Sequence, residues 1–460
     1  MKIKNICCIG AGYVGGPTMT VIAQKNPNIK VNVVDMNSKK IDSWNSKNLD
    51  ELPVYEPGLS RVIKEARNRN LFFSTEINKH IDEADMIFIS VNTPTKTDGE
   101  GKGYAADLKY VESCAKQIAK VSKTNKIIVE KSTVPVRTSE KVRSILAKYN
   151  NRVDFQILSN PEFLAEGTAM RDLEVPDRVL IGGEDSSEGK KAIKSLVDIY
   201  SKWVPRENIL TTNLWSSELS KLCANAFLAQ RISSINSLSE LCEETGADIE
   251  EVSRAIGMDT RIGSSFLKTS VGFGGSCFQK DILNLVYIAR SLNLNKVADY
   301  WEQILIINDH QRNRFSQKII KCINKNKLED KILLLGWAFK KNTNDSRESA
   351  AIYIADYLIK AGANIYVYDP MIMKKKILLD LKILWESRNM TDHETQDKLS
   401  KVSVFDGSNN IIEKCNSVAI LTEWEGFKKY DWEKLVLSKR IYDGRDLIKK
   451  AQYKLGKSFK

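Results

Sequence analysis

Histidine is scarce in this sequence, which has 460 residues and three histidines, His80, His310 and His393. Three scattered histidines do not suggest a metal site, and they give little support to a Ser-His-Asp mechanism. The eight cysteines include no Cys-x-x-Cys pair, so neither a zinc site nor a disulfide framework is expected. We therefore predict no bound metal and a chain that keeps its thiols reduced.

Long apolar runs are also missing. No stretch approaches the run of about 18 apolar residues that a membrane span needs, and the N-terminal segment does not have the pattern of a signal peptide. We expect a cytoplasmic protein without a membrane partner. The net charge is +12, but no dense basic run with interleaved aromatic residues accompanies it, so surface lysines explain the charge better than a nucleic-acid partner.

The first third of the chain alternates short apolar runs with helical patterns. The runs that predict strands are Ile3–Ile9, Val31–Val34, Met86–Val91, Lys126–Val129 and Phe155–Leu158. This alternation is typical of a parallel, doubly wound sheet. Each predicted strand ends in a polar turn, at the edge where such sheets bind ligands.

A long helical pattern and a second, weaker set of alternating elements follow. The helix is predicted over Trp215–Glu244. Later strands are predicted at Lys331–Leu335, Ile365–Tyr368, Ser417–Leu421 and Ile441-Tyr442, with a helix over Ser349–Ala361. The charged stretch Met371–Ser408 is interpreted as an irregular surface region with short helices.

A dinucleotide fingerprint occupies the first strand-to-helix turn. Its residues are Gly10, Ala11, Gly12, Tyr13, Val14 and Gly15. Asp35 ends the second predicted strand, where a carboxylate binds ribose hydroxyls and favours NAD over NADP. Lys40 either contacts the adenosine phosphates or lies on the surface. We predict an α/β fold with two Rossmann-like doubly wound parallel-sheet domains joined by a long central helix, with domains at 1–212, 213–325 and 326–460.

Cys277 is the candidate nucleophile. It lies in the glycine-rich stretch Gly272–Asp281, where Lys280 could favour the thiolate. A thiolate that attacks an aldehyde gives a thiohemiacetal, and hydride loss then gives a thioester that water cleaves. The residue pattern alone leaves this interpretation and a buried structural cysteine equally open.

Two pairs of polar residues are candidates for proton handling. Glu162 and Glu166 lie four residues apart after a predicted strand, as do Lys221 and Asn225 on the long helix. The carboxylates suit water activation, or they are acids at a helix start. The lysine and asparagine suit a base and an oxyanion partner, or they belong to a solvated helix face.

Together these motifs resemble those of the UDP-glucose 6-dehydrogenases of animals and plants. The resemblance covers nearly the whole chain. It is carried by Cys8–Thr18, Val91–Thr95, Glu130–Pro135, Ser159–Gly167, Ser216–Leu222, Ser270–Asp281 and Gly336–Lys341. It implies a four-electron oxidation of UDP-glucose at C6 to UDP-glucuronate, with NAD as cofactor and a thioester intermediate.

The resemblance also implies a role for individual residues. The catalytic set is Cys277, Lys221, Glu162, Asp281, Asn225 and Thr133. The NAD set is Gly10–Gly15, Asp35, Lys40, Val91, Asn92, Thr93, Pro94, Thr95, Ser132, Thr133, Val134, Glu166, Lys280 and Arg347. The UDP-sugar set is Glu162, Phe163, Leu164, Ala165, Glu166, Lys221, Asn225, Arg261, Lys268, Ser270, Val271, Gly272, Phe273, Gly274, Phe339, Lys340 and Arg445.

The residue that matches Arg261 reaches into a neighbouring subunit's site in that family, which implies a homo-oligomer built from a dimer unit, with a hexamer left open. Asn45–Pro53 is a few residues longer than usual, the end of the chain lacks the long polar tail of animal members, and the loop before Arg347 varies. These departures leave the expected chemistry unchanged.

Three other functions compete with this interpretation. The nearest is oxidation of another nucleotide sugar, GDP-mannose or a UDP-N-acetyl sugar. A two-electron hydroxyacid dehydrogenase would not need Cys277. A catalytically inactive binding protein on the same fold would not be expected to keep Cys277, Lys221, Glu162 and Asp281 together.

Overall fold

The computed structural model describes residues 2–326, 331–405, 407 and 411–457. The chain forms two compact units. The first comprises Met1–Ala224 with Leu283–Ser291, and the second comprises Asn225–Ile282 with Leu292–Lys460.

The first unit is built on an eight-stranded sheet. In chain order the strands are β1 Asn5–Ile9, β2 Lys30–Val34, β3 Leu71–Ser74, β4 Met86–Ile89, β5 Lys126–Glu130, β6 Phe155–Ser159, β7 Val179–Gly183 and β8 Ile209–Asn213. Their order across the sheet is β3-β2-β1-β4-β5-β6-β7-β8. The first six strands are parallel, whereas β7 pairs with β6 in the antiparallel direction and carries β8 with it.

Helices cover both faces of this sheet. They are α1 Gly15–Lys25, α2 Ser38–Asn45, α3 Leu59–Ala66, α4 Ile77–Glu83, α5 Lys109–Val121, α6 Thr138–Tyr149, α7 Ala169–Glu174 and α8 Ser187–Tyr200. Because side chains alternate along a strand, the adjacent residues Cys7 and Cys8 belong to different apolar cores. Cys8 packs in the core with Met19 of α1, and Cys7 packs in the core with Val111 of α5. The predicted doubly wound arrangement is confirmed.

Long helices dominate the middle of the chain. They are α9 Leu214–Thr245, α10 Ile249–Gly257, α11 Phe278–Ser291 and α12 Asn295–Asn326. The prediction for α9 is confirmed to within one residue at each end. The 32 residues of α12 were not predicted, because many of its residues are charged or polar and no clear apolar period marks it.

The second unit contains a six-stranded parallel sheet. The strands are β9 Lys331–Leu335, β10 Asn364–Tyr368, β11 Val402–Val404, β12 Ser417–Ile420, β13 Arg440–Asp443 and β14 Tyr453–Lys454, and the helices after β9 are α13 Ala350–Lys360, α14 Lys374–Ser387, α15 Asp392–Ser400 and α16 Trp432–Ser438. The order is β11-β10-β9-β12-β13-β14. The half that starts at β9 therefore has the predicted Rossmann-like order.

The prediction of short helices within Met371–Ser408 is confirmed by α15, whereas the prediction of an irregular surface region is wrong for α14 and β11. Helix α14 has 14 residues and buries Leu381 and Trp385 in the core of the second unit. Strand β11 pairs with β10. The many lysines concealed the apolar face of α14, because only one side of the helix is buried. Residues 406 and 408 lie outside the described residues.

Candidate functional site

The glycine loop after β1 has the geometry that a pyrophosphate requires. Gly10 has φ +111°, and a Cβ there would lie 2.2 Å from the Ser90 carbonyl oxygen. A Cβ at Gly15 would lie 2.1 Å from the Gly10 carbonyl oxygen, whereas nothing lies within 4 Å of the Cβ position of Gly12. Chain packing thus requires Gly10 and Gly15. The space beside Gly12 is open for a ligand, so the loop fits a dinucleotide.

Asp35 follows β2 and faces this loop. Its Oδ2 accepts hydrogen bonds from the Ala11 backbone N–H at 3.1 Å and from Lys40 Nζ at 2.9 Å. Burial raises the pKa of Asp35, but the hydrogen bonds from Lys40, Asn37 and Ala11 outweigh it and hold that pKa below its usual value. The carboxylate is ionised, and the hydrogen bond from Lys40 fixes it at the end of β2.

The corresponding acid of the second unit, Asp369, lies at the end of β10. One of its oxygens, Oδ2, accepts from the backbone N–H groups of Trp337 at 2.6 Å and Ala338 at 3.0 Å, and from Trp424 Nε1 at 3.0 Å. The other, Oδ1, accepts from Met371 and Ile372. Both oxygens of Asp369 are therefore committed to the fold of this half.

Two predicted NAD loops of the first unit are tied together. Thr93 Oγ1 donates to the Thr133 carbonyl oxygen at 2.7 Å, and Ser132 Oγ donates to the Val91 carbonyl oxygen at 2.7 Å. They follow the neighbouring strands β4 and β5. The structure therefore brings 91–95 and 132–134 to the same sheet edge as the glycine loop.

Two buried glutamates lie behind the 132–137 loop. Glu218 accepts from the backbone N–H groups of Arg137 at 2.6 Å and Ser139 at 2.8 Å. Glu130 is buried close to Glu218, and neither of its oxygens has a hydrogen-bond partner among the described residues. Two carboxylates buried close together repel each other, so one of the two keeps its proton. Burial, and then the charge of Glu218, raise the pKa of Glu130 well above its usual value.

The Glu130–Glu218 pair predicts a stability that falls as pH rises. The folded chain keeps a proton that the unfolded chain releases near the ordinary glutamate pKa of 4.5, so stability is lost from there up to the raised pKa of the pair. Glu130→Gln supplies a permanent donor. We expect it to increase the free energy of unfolding by about 1–3 kcal/mol at pH 8 and by little at pH 5, as measured by urea unfolding.

Glu56→Gln is the matched control for this measurement. Glu56 is also buried and accepts two backbone N–H bonds, from Gly167 at 2.7 Å and Ala169 at 3.1 Å. Its glutamine variant loses acceptor capacity toward these N–H groups, so it should be less stable at both pH values. Equal destabilisation by Glu130→Gln at both pH values would contradict the proton kept by the Glu130–Glu218 pair.

Glu162 and Lys221 form a buried ion pair in the first unit. Glu162 Oε1 lies 3.4 Å from Lys221 Nζ, with side chains 8% and 5% exposed. Glu162 Oε2 is buried and has no hydrogen-bond partner among the described residues. The ring of Phe163 contacts two cations, with the Arg178 guanidinium 3.9 Å and Lys221 Nζ 5.5 Å from the ring centroid. A carboxylate oxygen without a donor beside a lysine is suited to receive a proton.

Cys277 lies immediately before α11 in the second unit and is half-buried. Its carbonyl oxygen accepts the Asp281 N–H at 3.0 Å, the first hydrogen bond of α11, so Cys277 stands at the N-cap position of the helix. Asp281 is buried, and it accepts from Asn225 Nδ2 at 2.5 Å and Lys280 Nζ at 2.9 Å. Three of the predicted catalytic residues, Cys277, Asn225 and Asp281, are thus linked in one unit.

The loop that precedes Cys277 is rigidly held. Gly272 has φ +111°, and a Cβ there would lie 2.7 Å from Asn308 Oδ1. Asn308 Oδ1 accepts from the Phe273 N–H at 2.8 Å, and Arg312 donates to the Phe273 carbonyl at 2.7 Å. Sequence reasoning missed both residues of α12. Their spacing of four, on one helix face, was the available signal.

The predicted UDP-sugar residues of the second unit partly come together. Arg445 donates to the carbonyl oxygens of Leu421 at 2.7 Å and Phe339 at 3.0 Å. Val271 N–H donates to the Gly444 carbonyl at 3.0 Å. Phe339, Arg445 and the 271–274 loop therefore meet at the carboxyl ends of β9, β12 and β13.

Three other predicted residues differ in their surroundings. Arg261 has an 87% exposed side chain that pairs with Asp259 at 2.6 Å, and Lys268 is exposed. Arg347 pairs with Asp345 at 2.6 Å, and its carbonyl oxygen accepts from the Gly275 N–H at 2.8 Å, which places it beside the loop that precedes Cys277. Within the described residues no group of three metal-ligating side chains is present, and no helix there is both long and apolar enough to cross a membrane.

Three domain families match the chain in succession. The NAD binding domain of the UDP-glucose/GDP-mannose dehydrogenase family matches residues 4–204, its central domain matches 215–310 and its UDP binding domain matches 333–450. The chain belongs to the UDP-glucose/GDP-mannose dehydrogenase family. The glycine loop and Asp35 thus lie in the NAD binding domain of this family, and NAD is the cofactor.

Individual members of the family are similar over nearly their full length. UDP-glucose 6-dehydrogenase of Gallus gallus is 56% identical over 97% of this chain and 90% of that protein. UDP-glucose 6-dehydrogenase 1 of Glycine max is 53% identical over 96% of this chain and 93% of that protein. The structure of a UDP-glucose dehydrogenase from Pyrobaculum islandicum matches with TM-score 0.83 and 29% identity, over 99% of this chain and 98% of that one.

Proposed function

We propose that this chain oxidises UDP-glucose at C6 to UDP-glucuronate in two NAD-dependent steps, with Cys277 as the covalent nucleophile. The observation that supports the substrate most strongly is the identity of 53–56% to UDP-glucose 6-dehydrogenases over nearly the whole chain. Membership of the family and the two Rossmann-like halves supply the NAD and UDP binding domains.

Bound NAD supplies the hydride acceptor for each oxidation. Lys221 assists removal of the C6 hydroxyl proton and stabilises the oxyanion, and its buried pairing with Glu162 positions it for this role. The partial positive charge at the N-terminus of α11 stabilises the Cys277 thiolate. The thiolate attacks the aldehyde and forms a thiohemiacetal, whose loss of a hydride and a proton gives the thioester.

Water then cleaves the thioester. Glu162, with its unpartnered Oε2, takes the proton of this water, and Thr133 helps to hold the water. Asp281 orients Asn225 and Lys280 through its two oxygens. The carbon–sulfur bond breaks, the thiol is restored and the carboxylate leaves. Overall, one alcohol, one water and two NAD⁺ give one carboxylate, two NADH and three protons.

We also assign the residues that bind NAD and those that bind the UDP-sugar. We assign NAD to the glycine loop, Asp35 with Lys40, the 91–95 and 132–134 loops, Glu166, Lys280 and Arg347. We assign the UDP-sugar to residues 162–166, Lys268, the 270–274 loop, Phe339, Lys340 and Arg445. We propose three domains, 1–212, 213–325 and 326–460, of which the central one carries the Cys277 loop.

A homo-oligomer in the cytoplasm completes the proposal. The exposed Arg261 is available to a second copy of the chain, and α9 exposes the large apolar residues Phe227 and Leu241. Together these features support a dimer unit. None of the eight cysteines, all of which lie in the described part of the chain, forms a disulfide, and a reducing compartment would keep them so.

The ratio of NADH formed to UDP-glucose consumed tests this function. With NAD in excess we expect two NADH per sugar, because the aldehyde stays on the enzyme until the second oxidation. One NADH per sugar would exclude the thioester step. If UDP-glucose gave no NADH but GDP-mannose or a UDP-N-acetyl sugar was oxidised, the substrate assignment would be wrong. The proposed two-step oxidation would still hold for that other nucleotide sugar.

A further inference from the structure

Lys131 is a buried lysine to which none of the roles above has been given. It follows β5 directly, with 3% of the residue exposed. Its Nζ donates to Asn160 Oδ1 at 3.2 Å. Since a lysine is almost never fully buried unless its charge is paired, this position requires an explanation.

Asn160 connects Lys131 to the turn that carries Glu162. It follows β6 directly, is fully buried, and accepts a second hydrogen bond from the Tyr200 hydroxyl at 2.7 Å. Its amide nitrogen donates to the Leu180 carbonyl at 2.8 Å. Every polar atom of this side chain is therefore fixed, and Pro161 leads from it straight to Glu162. Movement of Asn160 would displace the carboxylate.

Charge links the same groups. Burial lowers the pKa of Lys131 to about 8; the Glu162 carboxylate raises it, and the Lys221 ammonium lowers it further. Burial also raises the pKa of Cys8, and burial with the Glu162 charge raises that of Tyr200, so both stay neutral. Two cations thus face one carboxylate in a buried space.

We propose that Lys131 is a positioning residue for the oxidation: it holds the Asn160 turn that places Glu162 against Lys221, and its positive charge stabilises the anion that develops on the substrate oxygen. The inference rests on the proposed roles of Glu162 and Lys221. The inference extends these roles, because Lys131, which follows a different strand, then sets the electrostatic environment of the Glu162–Lys221 pair.

The first test is the pH profile of kcat for Lys131→Met and Lys131→Arg beside wild type. In wild type we expect kcat to fall as pH rises through about 8, where Lys131 loses its charge. The methionine variant should lose that limb and reduce kcat by about 10- to 100-fold, with KM for UDP-glucose changed far less. The arginine variant should retain more activity and hold it to higher pH, because guanidinium stays charged.

Two controls separate charge from packing. Lys126 is another buried lysine, at the start of β5, where its Nζ donates to the carbonyl oxygens of Asp82 at 2.7 Å and Ala84 at 2.6 Å. Lys126→Met should lower thermal stability and leave the pH profile unchanged. Tyr200→Phe removes a neutral hydrogen bond from Asn160. It should lower kcat and keep the alkaline limb.

The outcomes distinguish this inference from the proposed function. If wild type forms no NADH from UDP-glucose, the proposed substrate fails. If wild type is active and both Lys131 variants keep its pH profile, the inference about Lys131 alone is overturned. Should the methionine variant fail to fold, the arginine variant decides: an alkaline limb still near pH 8 would contradict the role of the Lys131 charge.

Discussion

Replacing Cys277 with alanine is expected to reduce kcat by roughly 10⁴- to 10⁶-fold, the loss typical of removing a covalent nucleophile. The reason is that no other thiol is equivalent. Burial raises the pKa of Cys114 to about 12 and that of Cys415 to about 11, so these thiols stay protonated. Cys277 is partly exposed and stands at the N-cap position of α11. The measurement is steady-state NADH formation from UDP-glucose.

A single-turnover experiment sharpens this prediction. The alanine variant should still form about one NADH per site, because the first oxidation does not need the thiol. Cys322→Ala is the matched control: Cys322 is also partly exposed and has no proposed role, so its rate should stay near that of wild type. If the Cys277→Ala variant gave two NADH per sugar at a rate within tenfold of wild type, the covalent step would be wrong.

Replacing Lys221 with methionine is expected to lower kcat by about 10²- to 10⁴-fold, the usual contribution of a general acid or base. The substitution keeps the length of the buried side chain and removes its amine. Glu162 then has no cation at 3.4 Å, and the C6 alkoxide loses its stabilisation. Stopped-flow NADH formation should show that the first oxidation is already slow, unlike in the Cys277 variant.

Folding must be checked separately, because removing one partner of a buried ion pair also lowers stability. Thermal unfolding of Lys221→Met gives that check, and Lys126→Met serves as a buried-lysine control with normal kinetics. A first NADH formed at the wild-type rate would refute the role of Lys221 in proton removal, however slow the later steps became.

The sequence was most informative where a local pattern has one physical solution. The glycine loop and the end of β2 were predicted because close approach to a ligand and a carboxylate at a strand end require particular residue types. The strand register and the reversal at β7 were not predicted, since a short apolar run carries no direction. Helix α12 was missed because many of its residues are charged or polar and no clear apolar period marks it.

The site was predicted only in part for a similar reason. Cys277 and Glu162 carry their own chemistry and stand in distinctive segments. The Glu130–Glu218 pair and the contact between Lys131 and Asn160 each join separate elements, and no spacing rule links residues that meet only through the sheet. Single residues revealed candidate chemistry, whereas the partners that tune it emerged only from the packed structure.

The commitment of Asp369 to the backbone has a kinetic consequence. The half that contains Asp369 matches the UDP binding domain, and the half that contains Asp35 matches the NAD binding domain, yet four electrons must leave each sugar. NADH must therefore dissociate and a second NAD⁺ must bind while the partly oxidised sugar stays on the enzyme. A thiohemiacetal on Cys277 would keep the aldehyde bound to the enzyme during this exchange. The two oxidations would then use the same NAD site in turn, and no free aldehyde would be released.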